Sequence, residues 1–177
     1  MDTLHLAERV GMPSDPLSWA LQRSLLDFLE SNWANPDNGL WEVRGPKRHF
    51  THSKIMAWVA VDRAIKSVEQ SGHEGPIDRW RALRAHIHRE VCEFGVDADR
   101  QCFVQFFGGK ALDASLLMVP LVGFLPAEDP RVRGTVEAIE RDLWSDGFVL
   151  RYRTEEGVDG LPPGEGAFLA CTFWLAD

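Results

Sequence analysis

Glu42 stands between Trp41 and Arg44 in the run Gly39-Leu40-Trp41-Glu42-Val43-Arg44-Gly45, and Phe50-Thr51-His52-Ser53-Lys54 follows closely. Glycine and proline bound the loop, and a helical pattern begins where it ends. A large flat indole, a carboxylate and a planar fork of donors side by side are the parts of a sugar-binding catalytic site. The ring stacks on a sugar face, the fork clamps hydroxyls and the acid moves a proton. Two readings of Glu42 stand open. As a surface carboxylate it pairs with Arg44 or Lys47 and contributes little. As a general acid it lends its proton to a leaving oxygen, with Trp41 as the apolar wall beside it.

The neighbouring residues carry the same double reading. Trp41 is a stacking platform or plain core. Arg44, His52 and Lys54 face the pocket, or His52 caps the next helix and Lys54 is solvated. Glu165 opens a helix after a glycine-rich loop, where a carboxylate also answers the helix dipole. His86 and His88 are spaced i, i+2, which points them about 200° apart on a helix and away from a common metal. Gly108-Gly109-Lys110 lacks the rest of a phosphate loop, and Asp97-Ala98-Asp99 is too sparse for a calcium loop. Neither a Gly-x-Ser-x-Gly elbow nor an aspartate-rich cyclase cluster is present. The sequence therefore calls for no metal and no cofactor.

These side chains need a scaffold, and 177 residues suffice for one domain with a core. A formal charge of −8 argues against a nucleic-acid surface, since nothing would neutralise a run of phosphates. Three cysteines, Cys92, Cys102 and Cys171, are an odd number without metal-ligand spacing and read as reduced core thiols. The N-terminus lacks the apolar run of a signal peptide. The longest apolar stretch, Leu116 to Leu125, is broken by Pro120 and Gly123, so no membrane span is expected. A cytoplasmic protein fits these features.

The periodicity predicts about six helices and little strand. The first clear one covers 15–33, with Asp15 or Ser14 as cap and Pro16 in the first turn. Others cover 52–70, 76–95, an apolar 112–124 that is kinked or ended near Pro120, and 130–143. A last helix starts near Glu165. Short extended pieces are expected at 102–107 and 147–153. Helices that alternate between amphipathic and fully apolar suit a double-layered helical toroid. The chain stops in mid-helix without a C-cap, as a fragment does.

The motifs at Gly39–Gly45, Phe50–Arg63, Leu112–Leu117 and Leu121–Pro126, with Glu165-Gly166-Ala167-Phe168-Leu169 and Phe173-Trp174-Leu175, resemble glycoside hydrolase family 15. This family holds the glucoamylases and related trehalases. The resemblance runs through nearly all of the chain, with the motifs in order. It implies an all-α fold, part of an (α/α)6 toroid, with residues 1–177 a C-terminal catalytic-domain portion truncated at both ends. It implies inverting hydrolysis of α-glucosidic bonds, in α,α-trehalose or at the non-reducing ends of α-glucans, with Glu42 at the general-acid position. The general base falls on a later motif, leaving Glu165 as a rim or substrate contact. Arg151, beside Tyr152, corresponds to an arginine lining the sugar site, and Asp113 lies near the start of an inner helix. Their plainer readings are a solvated arginine on a hairpin and a helix-terminal carboxylate. Trp41, Arg44, His52, Lys54, Asp113, Arg151 and Glu165 are thus candidate substrate contacts.

A different class also accounts for the chain. A portion of a toroid leaves inner faces uncovered, so a non-catalytic remnant or carbohydrate-binding helical module is the alternative. It would need a partner chain or self-association to cover its apolar face.

Overall fold

Three helices of this chain begin at an aspartate, Asp15, Asp113 or Asp129, whose carboxylate accepts a first-turn N–H. The structure is a computed structural model that describes residues 1–12, 15–153 and 167–177. It divides into two units, Met1–Asn35 with Lys54–Arg89, and Pro36–Ser53 with Glu90–Asp177.

In the first unit, α1 (Asp2–Arg9) is a helix the periodicity did not announce. The Asp15 carboxylate caps α2 (Pro16–Asn32) by accepting from the Leu17 N–H, and Pro16 sits at the first turn, as expected. Trp19, Gln22 and Leu26 on α2 are buried, whereas Leu17, Leu21, Leu25 and Phe28 are exposed, so only part of its broad apolar stripe is covered. Helix α3 (Thr51–Ser71) buries Ile55, Trp58, Val59, Val61 and Ile65, and α4 (Ile77–Phe94) buries Trp80 and Ile87. Asp62 on α3 is nearly enclosed and bonds Arg63, Lys66 and Arg84 at 2.7–2.8 Å. Burial raises its pKa, but Lys66, with Arg84 and Arg63, holds the carboxyl below its usual range. Arg63 also reaches Asp2 at 2.6 Å and ties α1 to α3.

The second unit holds two small hairpins and the remaining helices. Strands β1 (Val96–Asp97) and β2 (Cys102–Phe103) pair antiparallel, Val96 opposite Phe103. The apolar segment expected as one helix over 112–124 is instead a 3-10 helix, Ala114–Leu117, followed by the single turn α5 (Met118–Leu121). Pro120 brings no N–H to continue it, and Gly123 turns the chain out at φ 74. Asp129 caps α6 (Pro130–Leu143). Strands β3 (Trp144–Ser145) and β4 (Phe148–Val149) flank Asp146-Gly147, both at positive φ, as a two-residue Asp-Gly hairpin turn demands. The extended pieces expected at 102–107 and 147–153 thus reduce to β2 and β4. Helix α7 (Leu169–Ala176) starts later than Glu165, which lies outside the described residues.

Cys102, Leu112, Ala114, Leu117, Ala138, Ile139, Leu143, Val149 and Cys171 make the core of this unit, with Trp41 and Trp174 packed against it. Helix α6 packs on β2 and the 3-10 helix, and α7 packs on β4 and the same 3-10 helix. The three cysteines are free thiols, and burial pushes Cys171 up to about 12, which keeps it protonated and inert. The class is all-α with little strand, as the periodicity implied. Among the described residues no helix is long and apolar enough to cross a membrane.

Candidate active site

The acid loop belongs to the second unit and is closed by its own polar residues. Asp37 and Arg48 exchange backbone hydrogen bonds of 2.9 Å across its neck. The Asp37 carboxylate accepts from the Gly39 N–H at 2.6 Å and the Ser53 hydroxyl at 2.9 Å. Asn38 clasps Val43 twice: its carbonyl accepts from the Val43 N–H, and its side-chain amide donates to the Val43 carbonyl, both at 2.9 Å. Gly39 holds φ 71 against the ring of Phe50, so close that an added Cβ would meet ring carbons at 2.9–3.1 Å.

Inside this clasp the side chains alternate. Trp41 is half-buried, Val43 is buried, and Glu42 between them is exposed. Glu42 sits at φ 51, a left-handed conformation uncommon outside glycine, asparagine and aspartate. Such a conformation costs on the order of 1–3 kcal/mol and persists only where the surroundings impose it. The carboxylate pairs with neither Arg44 nor Lys47; both are exposed, and no described residue bonds it. It is held out by its backbone, not by an ion pair.

Trp41 is the most heavily constrained side chain of the loop. Its indole N–H lies 3.0 Å from both carboxylate oxygens of Asp113. Phe168 meets the ring edge-on with centroids 5.7 Å apart, and Tyr152 and Trp174 lie tilted at 6.4 Å. The Arg151 guanidinium stands 5.4 Å from the Trp41 ring centre and 5.6 Å from that of Tyr152. The Arg151 carbonyl accepts from the Ala114 N–H, which fixes that residue at the head of the 3-10 helix.

Asp113 is that helix's cap, taking the Ser115 N–H at 2.8 Å, and it also accepts the Gln105 amide at 3.1 Å. His52 lies on the first turn of α3. Its Nε2 is buried with no hydrogen-bond partner among the described residues. Burial lowers the His52 pKa, and the charges of Asp113 and Asp37 oppose that shift. The structure therefore gathers Asp113 and Arg151 around the Trp41 ring, with Glu42 next along the chain and His52 in the field of Asp113.

Lys54 is placed otherwise, in the first unit. It is 2% exposed, and its ammonium donates to the carbonyls of Trp33 and Asn35 at 2.6 and 2.5 Å. A cation on the carbonyl of Trp33, the C-cap of α2, and on that of Asn35 in the turn beyond it closes the C-terminal end of the helix; the residue is neither solvated nor open to a sugar. Gln105, Phe168 and Trp174 were not among the candidate contacts. A lone amide inside the apolar run Cys102–Phe107 was the available signal, because a buried polar group needs a partner. Among the described residues no group of three or more His, Cys, Asp or Glu could hold a metal ion.

Helical folds of this kind occur in glycosidases. A glycosidase solved in complex with glucose superposes at TM-score 0.64, covering 72% of this chain and 34% of that chain, at 24% identity. A wild-type glycosidase gives the same coverage, score and identity. The sequence profile of glycosyl hydrolases family 15 matches residues 1–177, and the chain belongs to that family. It is similar to a trehalase of Mycobacterium tuberculosis, 46% identical over 97% of this chain and 25% of that protein. A trehalase of Mycolicibacterium smegmatis is 48% identical with the same coverage. A trehalase of Thermoplasma volcanium is 37% identical over 98% of this chain and 28% of that protein. The chain thus spans about a quarter of the length of the curated relatives it matches.

Proposed function

We propose that the full-length protein hydrolyses an α-glucosidic bond with inversion, and that this chain supplies the general acid, Glu42. The observation that carries this reading is the Glu42 carboxylate itself. It is exposed, unpaired with any described residue, and presented by a strained backbone beside a fixed indole. An exposed carboxylate held this way has no stabilising role to explain it, whereas a proton donor needs a fixed and accessible position.

In the reaction, Glu42 gives its proton to the glycosidic oxygen as the bond to the anomeric carbon breaks. A second carboxylate takes a proton from the water that attacks the opposite face, and the two carboxyl groups stand about 6.5–9.5 Å apart to admit that water. Arg44, two residues beyond Glu42, and Arg151, over Trp41, supply donors for sugar hydroxyls. The trehalase names of relatives 46% and 48% identical favour α,α-trehalose over the end of an α-glucan.

The test uses the full-length polypeptide, with glucose release followed from α,α-trehalose and from maltotriose. Inversion should release α- and β-glucose in equal amounts from trehalose, where retention would release the α-anomer alone, and β-glucose from the non-reducing end of maltotriose. Glu42→Gln should lower trehalose turnover roughly 100- to 10,000-fold, the span of general-acid catalysis, while trehalose still binds. Undiminished turnover in that variant removes the assignment, and faster release from maltotriose than from trehalose moves the substrate to α-glucans.

A further inference from the structure

Asp113 entered as a candidate sugar contact, but its oxygens are already engaged. The side chain is 4% exposed. Trp41 Nε1 donates to both oxygens at 3.0 Å, Gln105 Nε2 to Oδ2 at 3.1 Å, and the Ser115 N–H to Oδ1 at 2.8 Å. A carboxylate offers about four acceptor directions, and these four contacts fill them. All partners are donors, so an amide in its place would turn its own NH2 group against an N–H.

The three donors come from three separate stretches of chain: the acid loop, the residues after β2, and the 3-10 helix. Asp113 is where they meet. The indole it grips is bonded through one peptide link to Glu42, whose φ of 51 leaves little tolerance for a shift. Phe168, Tyr152 and Trp174 pack against the ring but make no hydrogen bond to it. The Nε1 bond supplies the missing constraint, and a charged acceptor makes it about twice as strong as a neutral one.

We infer that Asp113 is the positioning residue of the general acid. By fixing the Trp41 indole it sets the direction of the Glu42 carboxylate, with Gln105 and the Ser115 N–H holding Asp113 in turn. It does not touch the sugar. This rests on the reading of Glu42 as the acid.

Two substrates separate positioning of an acid from general damage. Trehalose needs a proton on its leaving oxygen. In α-glucosyl fluoride the carbon–fluorine bond breaks to release fluoride without one, as water adds to carbon and yields its proton to the base. In the full-length protein, Asp113→Asn should lower the ratio of trehalose to fluoride kcat about 10- to 100-fold, the loss expected from an ångström of misplacement. KM for trehalose should stay within about twofold. Trp41→Phe keeps a ring and removes the N–H, so it should lower the same ratio, and the double variant should fall no further than the worse single one. An unchanged ratio, or a loss expressed in KM alone, overturns the inference. Failure of the acid assignment is read separately, since Glu42→Gln would then leave the ratio at the wild-type value.

Discussion

The indole nitrogen of Trp41 and the carboxylate of Asp113 lie 3.0 Å apart across 72 residues of sequence. This bond joins the acid loop to the 3-10 helix at the centre of the second unit's core, so loop geometry and core packing are coupled. Trp41 is also surrounded by three rings. Trp41→Ala should therefore destabilise by about 3 kcal/mol, the low end for a large aromatic because the ring is only half-buried. Trp41→Phe should cost about 1 kcal/mol, the net worth of a hydrogen bond. Denaturant midpoints of the two variants, compared with wild type, measure the difference. Equal midpoints for Phe and Ala would show that the rings around Trp41 contribute nothing.

Lys54 gives a sharper separation of structure from substrate. Its ammonium sits on the carbonyls of Trp33, the C-cap of α2, and of Asn35 just beyond, and is shielded from water. Lys54→Met keeps the apolar stem and removes the charge. Hydrogen bonds to charged groups contribute about 1.5–3 kcal/mol, so a loss of about 2 kcal/mol is expected in thermal or denaturant unfolding. KM for trehalose should not change. A raised KM with unchanged stability would return Lys54 to the sugar site.

Gly39 fixes the start of the acid loop by conformation and by space. It holds φ 71, and an added Cβ would stand 2.9 Å from the nearest ring carbon of Phe50. Gly39→Ala meets both obstacles, and a cost of about 1–3 kcal/mol is expected from backbone strain alone. Because Glu42 N–H donates to the Gly39 carbonyl at 3.2 Å, the same change should lower trehalose turnover. Unfolding and kcat measured on one preparation test both effects. A variant with wild-type stability and turnover would show that the loop adapts without this glycine.

The parts of this molecule that were legible in advance are local. Asp15 and Pro16 announced the start of α2, and the Gly39–Gly45 run announced both the loop and the family, because its residues sit side by side. What escaped is non-local or decided by packing. The pairing of Trp41 with Asp113 spans too much chain for any spacing rule. Lys54 stands on a helix among polar neighbours and gives no sign that the end of α2 buries it. The apolar stripe of α2 was visible, but not that Leu17, Leu21, Leu25 and Phe28 lie exposed while Trp19 and Leu26 are covered. The run 112–124 is apolar enough for a helix, yet Asp113, Pro120 and Gly123 divide it into a capped 3-10 segment and one α turn.

His52 makes stability depend on pH in a predictable direction. Its Nε2 is sealed from water with no hydrogen-bond partner among the described residues, and burial lowers its pKa below the ordinary value of 6.5 although Asp113 and Asp37 pull it upward. Between that lowered value and 6.5, the unfolded chain binds a proton that the folded chain refuses. The unfolded state then carries more protons, so stability rises with pH through this window. The contribution is complete above 6.5 and is lost as pH falls towards the folded pKa. His5 is shifted the same way, chiefly by burial with help from Arg63, so the informative quantity is a difference between proteins. His52→Asn should flatten the dependence of melting temperature on pH between about 5 and 7, the range where histidine titrates. It should leave a smaller slope of the same sign from His5. Parallel curves for wild type and variant would mean that the His52 ring accepts its proton in the folded state as readily as in the unfolded one, and that its burial does not govern its charge.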